Sequence, residues 1–266
     1  MNENLKVWRQ DNIMVIQLRA ERTLNALDMG MMDEIVERLR EAERDSGTAA
    51  VVVAGSGRSF CTGADLKAFT GLTPEEVVHW CADIGNELFN RLATLSKPTL
   101  AAVNGYALGG GMELALACDF RFGHEKTQFG APEYGFGWIP GWGGVHRLAK
   151  IVGPARAKQF LLFKERVRGA DALALGLLNG LAPEPTEEAL LDFTLAKARE
   201  LAALNPLTVS YTKAILNDFE VPRHDSFLQG FTNGVVSKSE YARRAVEAFF
   251  EKGAEKKGES NAKSER

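Results

Sequence analysis

Three cysteines, Cys61, Cys81 and Cys118, are too few and too scattered in 266 residues for a disulfide framework, and their spacing fits no metal-binding pattern. They read as small buried thiols in a reducing compartment, and no metal site is expected. No run reaches the roughly 18 apolar residues of a membrane span, and the opening M-N-E-N-L-K-V-W-R-Q has no signal-peptide core. The expectation is a cytoplasmic protein that does not act at a membrane. Positive charge is not in surplus either: 32 Lys and Arg against 35 Asp and Glu give a net charge of −3, which argues against nucleic acid as a partner.

Common catalytic and nucleotide motifs are missing as well. Gly55-Ser56-Gly57 has Phe60 where a G-x-G-x-x-G fingerprint needs its third glycine, and no G-K-[S/T] follows. Ser56 lacks the G-x-S-x-G spacing of a nucleophile elbow, and nothing links His79, His124, His146 or His224 to it.

What is present suits one soluble core, with 45% apolar and 25% charged residues. Leu5 to Arg9 and Ile13 to Leu18 alternate as a strand pair around Gln10-Asp11-Asn12, and Asp28 caps a helix running to about Asp45 with Met31, Ile35 and Leu39 on one face. Ala49 to Ala54 is a β-branched run expected of a strand covered on both faces, so the order is strand, helix, parallel strand. Thr73-Pro74-Glu75-Glu76 is a capping box opening a helix to about Leu95, with Trp80, Ile84, Leu88 and Leu92 at four-residue spacing. Short strands are expected at Phe120 to Gly123, Thr127 to Gly130 and Leu178 to Ala182. Helices are expected at Val145 to Val152, Pro154 to Phe163, Ala170 to Leu177, Thr186 to Leu204, Pro206 to Phe219 and Phe227 to Phe250. Residues 1–205 are read as the core, 206–250 as a helical region, and 251–266 as a polar tail too poor in apolar residues to fold.

The centre of the chain is V-N-G-Y-A-L-G-G-G-M-E-L-A-L-A-C-D, from Val103 to Asp119. It reads as a buried strand, a glycine turn and a buried helix. Gly109, Gly110 and Gly111 let a ligand approach backbone N–H groups at a helix start, and Glu113 is a carboxylate among apolar neighbours one turn on. The same stretch also fits a structural turn with a capping glutamate. Residues 131–144 carry Tyr134, Phe136, Trp138 and Trp142, too much apolar area for a loose linker, so this loop is expected to wall a pocket with Glu133 at or inside its entrance. Glu133 would equally suit an exposed turn.

Five motifs in order resemble the crotonase family, the enoyl-coenzyme A hydratases and isomerases: Asn25-Ala26-Leu27, Ser59-Phe60-x-x-Gly63-Ala64-Asp65-Leu66, Ala102 to Leu114, Phe129-Gly130-x-Pro132-Glu133, and Pro140-Gly141-x-Gly143-Gly144. The resemblance implies an α/β fold, a crotonase-like spiral of repeated ββα units with a helical C-terminal trimerisation region, assembled as a homotrimer or as a hexamer of two trimers. It implies an acyl-CoA thioester substrate, coenzyme A being part of the substrate, and no other cofactor. The family's oxyanion hole falls on the N–H groups of Ala64 and Gly110, and its two catalytic carboxylates on Glu113 and Glu133. For coenzyme A the resemblance implies contacts from Ala64-Asp65-Leu66 and a basic residue near Arg22, while Gly109 of the glycine turn and Trp138 and Trp142 of the aromatic loop are further candidate substrate contacts read from the residues themselves. Hydration is the activity this implies, because both glutamates are present. Trp142, where the family commonly has a small residue, also resembles decarboxylase-like members. A single-carboxylate isomerase and a catalytically silent thioester-binding protein are the alternatives, and the presence of both Glu113 and Glu133 argues against each.

Overall fold

The computed structural model describes residues 3–65, 68, 73, 76, 79–135, 137–217, 240 and 244. The chain opens with β1 (Leu5–Gln10) and β2 (Ile13–Leu18), an antiparallel pair whose turn puts Asp11 at φ +56°. The helix α1 (Met29–Arg44) starts where Asp28 Oδ1 accepts the Met31 N–H at 2.7 Å. Its apolar face lies on β3 (Ala50–Gly55), which pairs parallel with β2 so that Val15 lies beside Val52. Next come β4 (Ser59–Cys61), a π-helical segment at Trp80–Gly85 and α2 (Asn86–Thr94). The capping box is present: Thr73 N–H donates to Glu76 Oε2 at 2.8 Å, and Glu76 N–H to Thr73 Oγ1 at 3.3 Å.

The central stretch holds β5 (Thr99–Ala102), β6 (Tyr106–Leu108) and α3 (Gly110–Ala117). After it run β7 (Phe120–Gly123), β8 (Gln128–Gly130), α4 (Gly144–Val152), α5 (Pro154–Leu162), β9 (Arg166–Arg168), α6 (Gly169–Ala174), β10 (Gly180–Leu181) and α7 (Glu187–Ala202). One sheet has the order β1-β2-β3-β5-β7-β10 and a smaller one the order β4-β6-β8-β9. The chain alternates between them: β3 is followed by β4, β5 by β6, β7 by β8. Each turn of this spiral thus adds a parallel strand to both sheets.

The large sheet is covered on both faces, as the β-branched run of β3 requires. Val51 and Val53 face the core that includes Met31, Ile35 and Leu39 of α1, while Ala50 and Val52 face Leu190, Leu195 and Ala198 of α7. The chain divides into two units after Ala203, and α8 (Pro206–Asn217) belongs to the second. The helix expected at Phe227 to Phe250 and the tail at 251–266 lie outside the described residues, apart from Glu240 and Arg244.

Two sequence expectations change. The glycine turn does not follow the strand at Thr99 directly, because β6 intervenes and belongs to the other sheet; three residues between Gly105 and Gly109 are too few to show strand periodicity. The helix expected to run to Leu95 contains the π-helical segment, although Trp80, Leu88 and Leu92 are buried in the core as their spacing implies and Ile84 packs against it.

Candidate active site

The small sheet collects the site. β4, β6 and β8 lie parallel, with Cys61 beside Ala107 and Leu108 beside Gly130. Parallel neighbours end at one edge, so the segments leaving them, Thr62-Gly63-Ala64, Gly109-Gly110 and Ala131-Pro132-Glu133, converge there. Residues of all three line a cavity of about 120 Å³, joined by Cys81, Glu113, Trp138, Ile139, Gly141 and Trp142.

Gly109 N–H donates to Gly130 O at 2.9 Å as the last rung between β6 and β8, and Gly109 then turns the chain into α3 at φ +55° and ψ −127°, a conformation that excludes a side chain. The Gly110 N–H at the helix start donates to no described residue. Across the cavity, Gly63 O accepts the Leu27 N–H at 2.7 Å and Asp65 N–H donates to Leu27 O at 2.9 Å, which fixes the backbone on both sides of Ala64 and leaves its N–H out of the ladder. The two segments touch: a Cβ on Gly63 would stand 2.8 Å from Gly110 N. Two anchored N–H donors therefore border one cavity, that of Gly110 at a helix N-terminus where partial positive charge gathers.

Glu113 lies in the first turn of α3 and is 1% exposed. Its Oε1 accepts the N–H groups of Trp142 at 2.8 Å and Gly144 at 2.7 Å, so the loop holds one carboxyl oxygen and Oε2 stands outside those bonds. Burial raises its pKa from 4.5 to about 7; the two N–H bonds oppose this, the nearby Glu133 charge adds to it and Arg147 opposes it. Glu133 sits in the short 3₁₀ turn Pro132–Gly135, where Trp138 N–H holds its carbonyl at 2.9 Å. Its side chain reaches over Gly109, where an added Cβ would stand 2.7 Å from Oε1. Its Oε2 is buried without a hydrogen-bond partner. Burial raises this pKa too, against its own backbone N–H and the charge of Arg166.

The remaining expected residues are placed unequally. Trp142 is 4% exposed and packs on Phe89, with ring centres 5.0 Å apart and planes 23° apart, whereas Trp138 is 37% exposed at the same cavity. Asp65 holds the Ala68 N–H at 3.4 Å, and Leu66 lies outside the described residues. Arg22 is exposed on the 3₁₀ turn Glu21–Thr23, beyond the residues that line the cavity. Phe136 also lies outside the described residues. The expectation of a buried thiol at Cys81 is corrected: it is only half-buried and lines the cavity from the π-helical segment. Gly85, an isolated glycine inside a helical pattern, is the signal that points to this irregularity. Residue types also give no sign of the Trp142 and Gly144 N–H groups as holders of Glu113, since a backbone donor is common to almost every residue. Among the described residues no cluster of His, Cys, Asp and Glu is placed to hold a metal ion, and no helix is long and apolar enough to cross a membrane.

A sequence model of the family described as enoyl-CoA hydratase/isomerase matches residues 8–257. The chain is 33% identical over 252 residues to the short-chain-enoyl-CoA hydratase of Clostridium acetobutylicum, covering 94% of this chain and 95% of that protein. It is 31% identical to the 2,3-dehydroadipyl-CoA hydratase of Escherichia coli over 93% of this chain and 96% of the relative. The crystal structure of enoyl-CoA hydratase from Bacillus anthracis superposes with a TM-score of 0.88 at 30% identity, covering 94% of this chain and 97% of that one.

Proposed function

The chain belongs to the enoyl-CoA hydratase/isomerase family, and from that premise we propose that it adds water reversibly across the 2,3 double bond of a 2-enoyl-CoA thioester to give the 3-hydroxyacyl-CoA. The observation that carries this reading is that two carboxylates, the buried Glu113 and the half-buried Glu133, line one cavity with the backbone of Ala64 and Gly110.

In the reaction, the water oxygen bonds to C3 while one glutamate takes a water proton. The electron pair of the C2–C3 double bond moves toward the thioester and places negative charge on the carbonyl oxygen. The N–H groups of Ala64 and Gly110 stabilise this charge, which exists mainly in the transition state and enolate. The second glutamate then delivers a proton to C2, and the thioester carbonyl is restored. One carboxylate has to begin ionised and its neighbour protonated. Two carboxyl pKa values raised beside each other, chiefly by burial, favour such a singly protonated pair. The steps balance with two carboxylates, two N–H groups and water, so no further cofactor is assigned.

The Ala64-Asp65-Leu66 segment and Arg22 are assigned to the coenzyme A portion. Arg22 suits that role as an exposed cation outside the acyl cavity. For the whole protein we retain a cytoplasmic location, a core at 1–205, a helical oligomerisation region at 206–250, a polar tail at 251–266, and a homotrimer or pair of trimers.

The test is product analysis with crotonyl-CoA in oxygen-labelled heavy water. Hydration places labelled oxygen at C3 and deuterium at C2. A product with a shifted double bond and no label at C3 would replace hydration by isomerisation.

A further inference from the structure

We infer that Trp142 is the specificity-determining residue of this site, closing the acyl end of the cavity so that the enzyme takes a short acyl chain and rejects a long one. This deepens the thioester reading and rests on it.

The indole is locked in place from several sides. One edge lies over Gly110, where an added Cβ would stand 2.2 Å from Cζ3, and the opposite edge lies over Gly85, where a Cβ would stand 2.1 Å from both Cδ1 and Nε1. Two residues without side chains thus form the notches that the ring fills. Phe89 stacks on it, and Trp80 meets it at 6.1 Å with planes tilted by 52°. The backbone is pinned as well: Trp142 N–H donates to Glu113, and Trp142 O accepts from Arg147 Nη1 at 2.6 Å. The ring cannot swing aside without breaking contacts to the π-helical segment, α2 and the start of α3 together.

Its chemistry points to shape rather than polarity, because Nε1 is buried with no hydrogen-bond partner. A wall chosen to bind a polar acyl group would aim that donor at the cavity, but here it abuts Gly85. The opposite edge crosses Gly110, whose N–H we assign to the thioester oxygen. An acyl chain that is anchored there and passes between the two glutamates meets the indole within a few carbons. Behind the ring lie Phe89 and Trp80, both 0% exposed, so among the described residues buried core backs it.

The experiment compares kcat/KM for crotonyl, hexenoyl and decenoyl thioesters in wild type, Trp142→Phe and Trp142→Ala, with calorimetric binding of butyryl- and decanoyl-CoA to the same proteins. Wild type should favour the crotonyl thioester, and Trp142→Ala should raise the decenoyl to crotonyl ratio by at least about tenfold, the scale on which pocket methylenes discriminate. Trp142→Phe should keep the short-chain preference. An unchanged ratio in folded Trp142→Ala, or a wild type that already favours decenoyl, overturns the inference. If Trp142→Ala fails to fold, Trp142→Leu carries the same comparison. Should no thioester be hydrated by wild type, the hydratase reading fails on its own. The binding ratio of decanoyl to butyryl still decides the wall, rising on truncation if it stands and remaining fixed if it does not.

Discussion

Glu113 is a carboxylate whose surroundings work against its charge, and its pH behaviour follows from that. Its pKa in the fold, about 7, is above the ordinary 4.5 because burial disfavours the ionised form more than two N–H bonds restore it. Its contribution to stability is therefore full below 4.5 and is lost as pH rises through about 7. Glu113→Gln removes the penalty, and calorimetric unfolding should show the variant gaining on wild type by on the order of 1–3 kcal/mol at alkaline pH and by little at acid pH. In the proposed mechanism the same group acts with Glu133. The dependence of kcat/KM on pH should be bell-shaped, falling on the alkaline side as the pair loses its last proton near pH 7. Glu113→Gln and Glu133→Gln should each lower hydration by roughly 10²–10⁴, and the double variant should be little worse than the poorer single one. Full activity in either single variant would remove that residue from the mechanism.

The elements divide into those that advertise themselves and those that do not. α1 is legible in the sequence because Asp28 caps it and its apolar residues recur at helical spacing. β3 is legible because a β-branched run buried on both faces resembles little else. Both expectations match within a residue or two. The small sheet is mostly hidden: β4, β6 and β9 are three residues each, too short for alternation, and take their form from pairing rather than from propensity. The glycines and glutamates of the site are visible as residue types, but the reason they meet, three parallel strands ending at one edge, is not. The same holds for Cys81, which lines the cavity from a π-helical segment that residue types mark only through Gly85. Close packing at this edge gives a prediction for the element as a whole. Gly110→Ala keeps the N–H but drives a methyl group into the Trp142 ring, so activity should fall by about tenfold or more, and adding Trp142→Ala should restore part of it. Additive losses in the double variant would show that the ring and the helix start are not in contact in solution.

At the scale of the whole molecule, the spiral explains why so small a site needs so large a fold. Each turn lays one strand in a broad sheet buried between α1 and α7, and that sheet supplies the apolar core. The same turn lays a second, short strand in the small sheet, and that strand supplies a site segment. The two tasks are separated in space but linked in sequence, so the core fixes the positions of backbone donors that no side-chain contact could hold. The most direct measurement is the reaction itself: purified protein is given crotonyl-CoA, a 3-enoyl-CoA and a malonyl-type thioester in parallel, and the products are identified by mass. A hydratase should convert crotonyl-CoA rapidly to the 3-hydroxy thioester, with little double-bond shift and no loss of carbon dioxide. Turnover of the 3-enoyl or malonyl-type thioester with crotonyl-CoA left untouched would contradict the assignment.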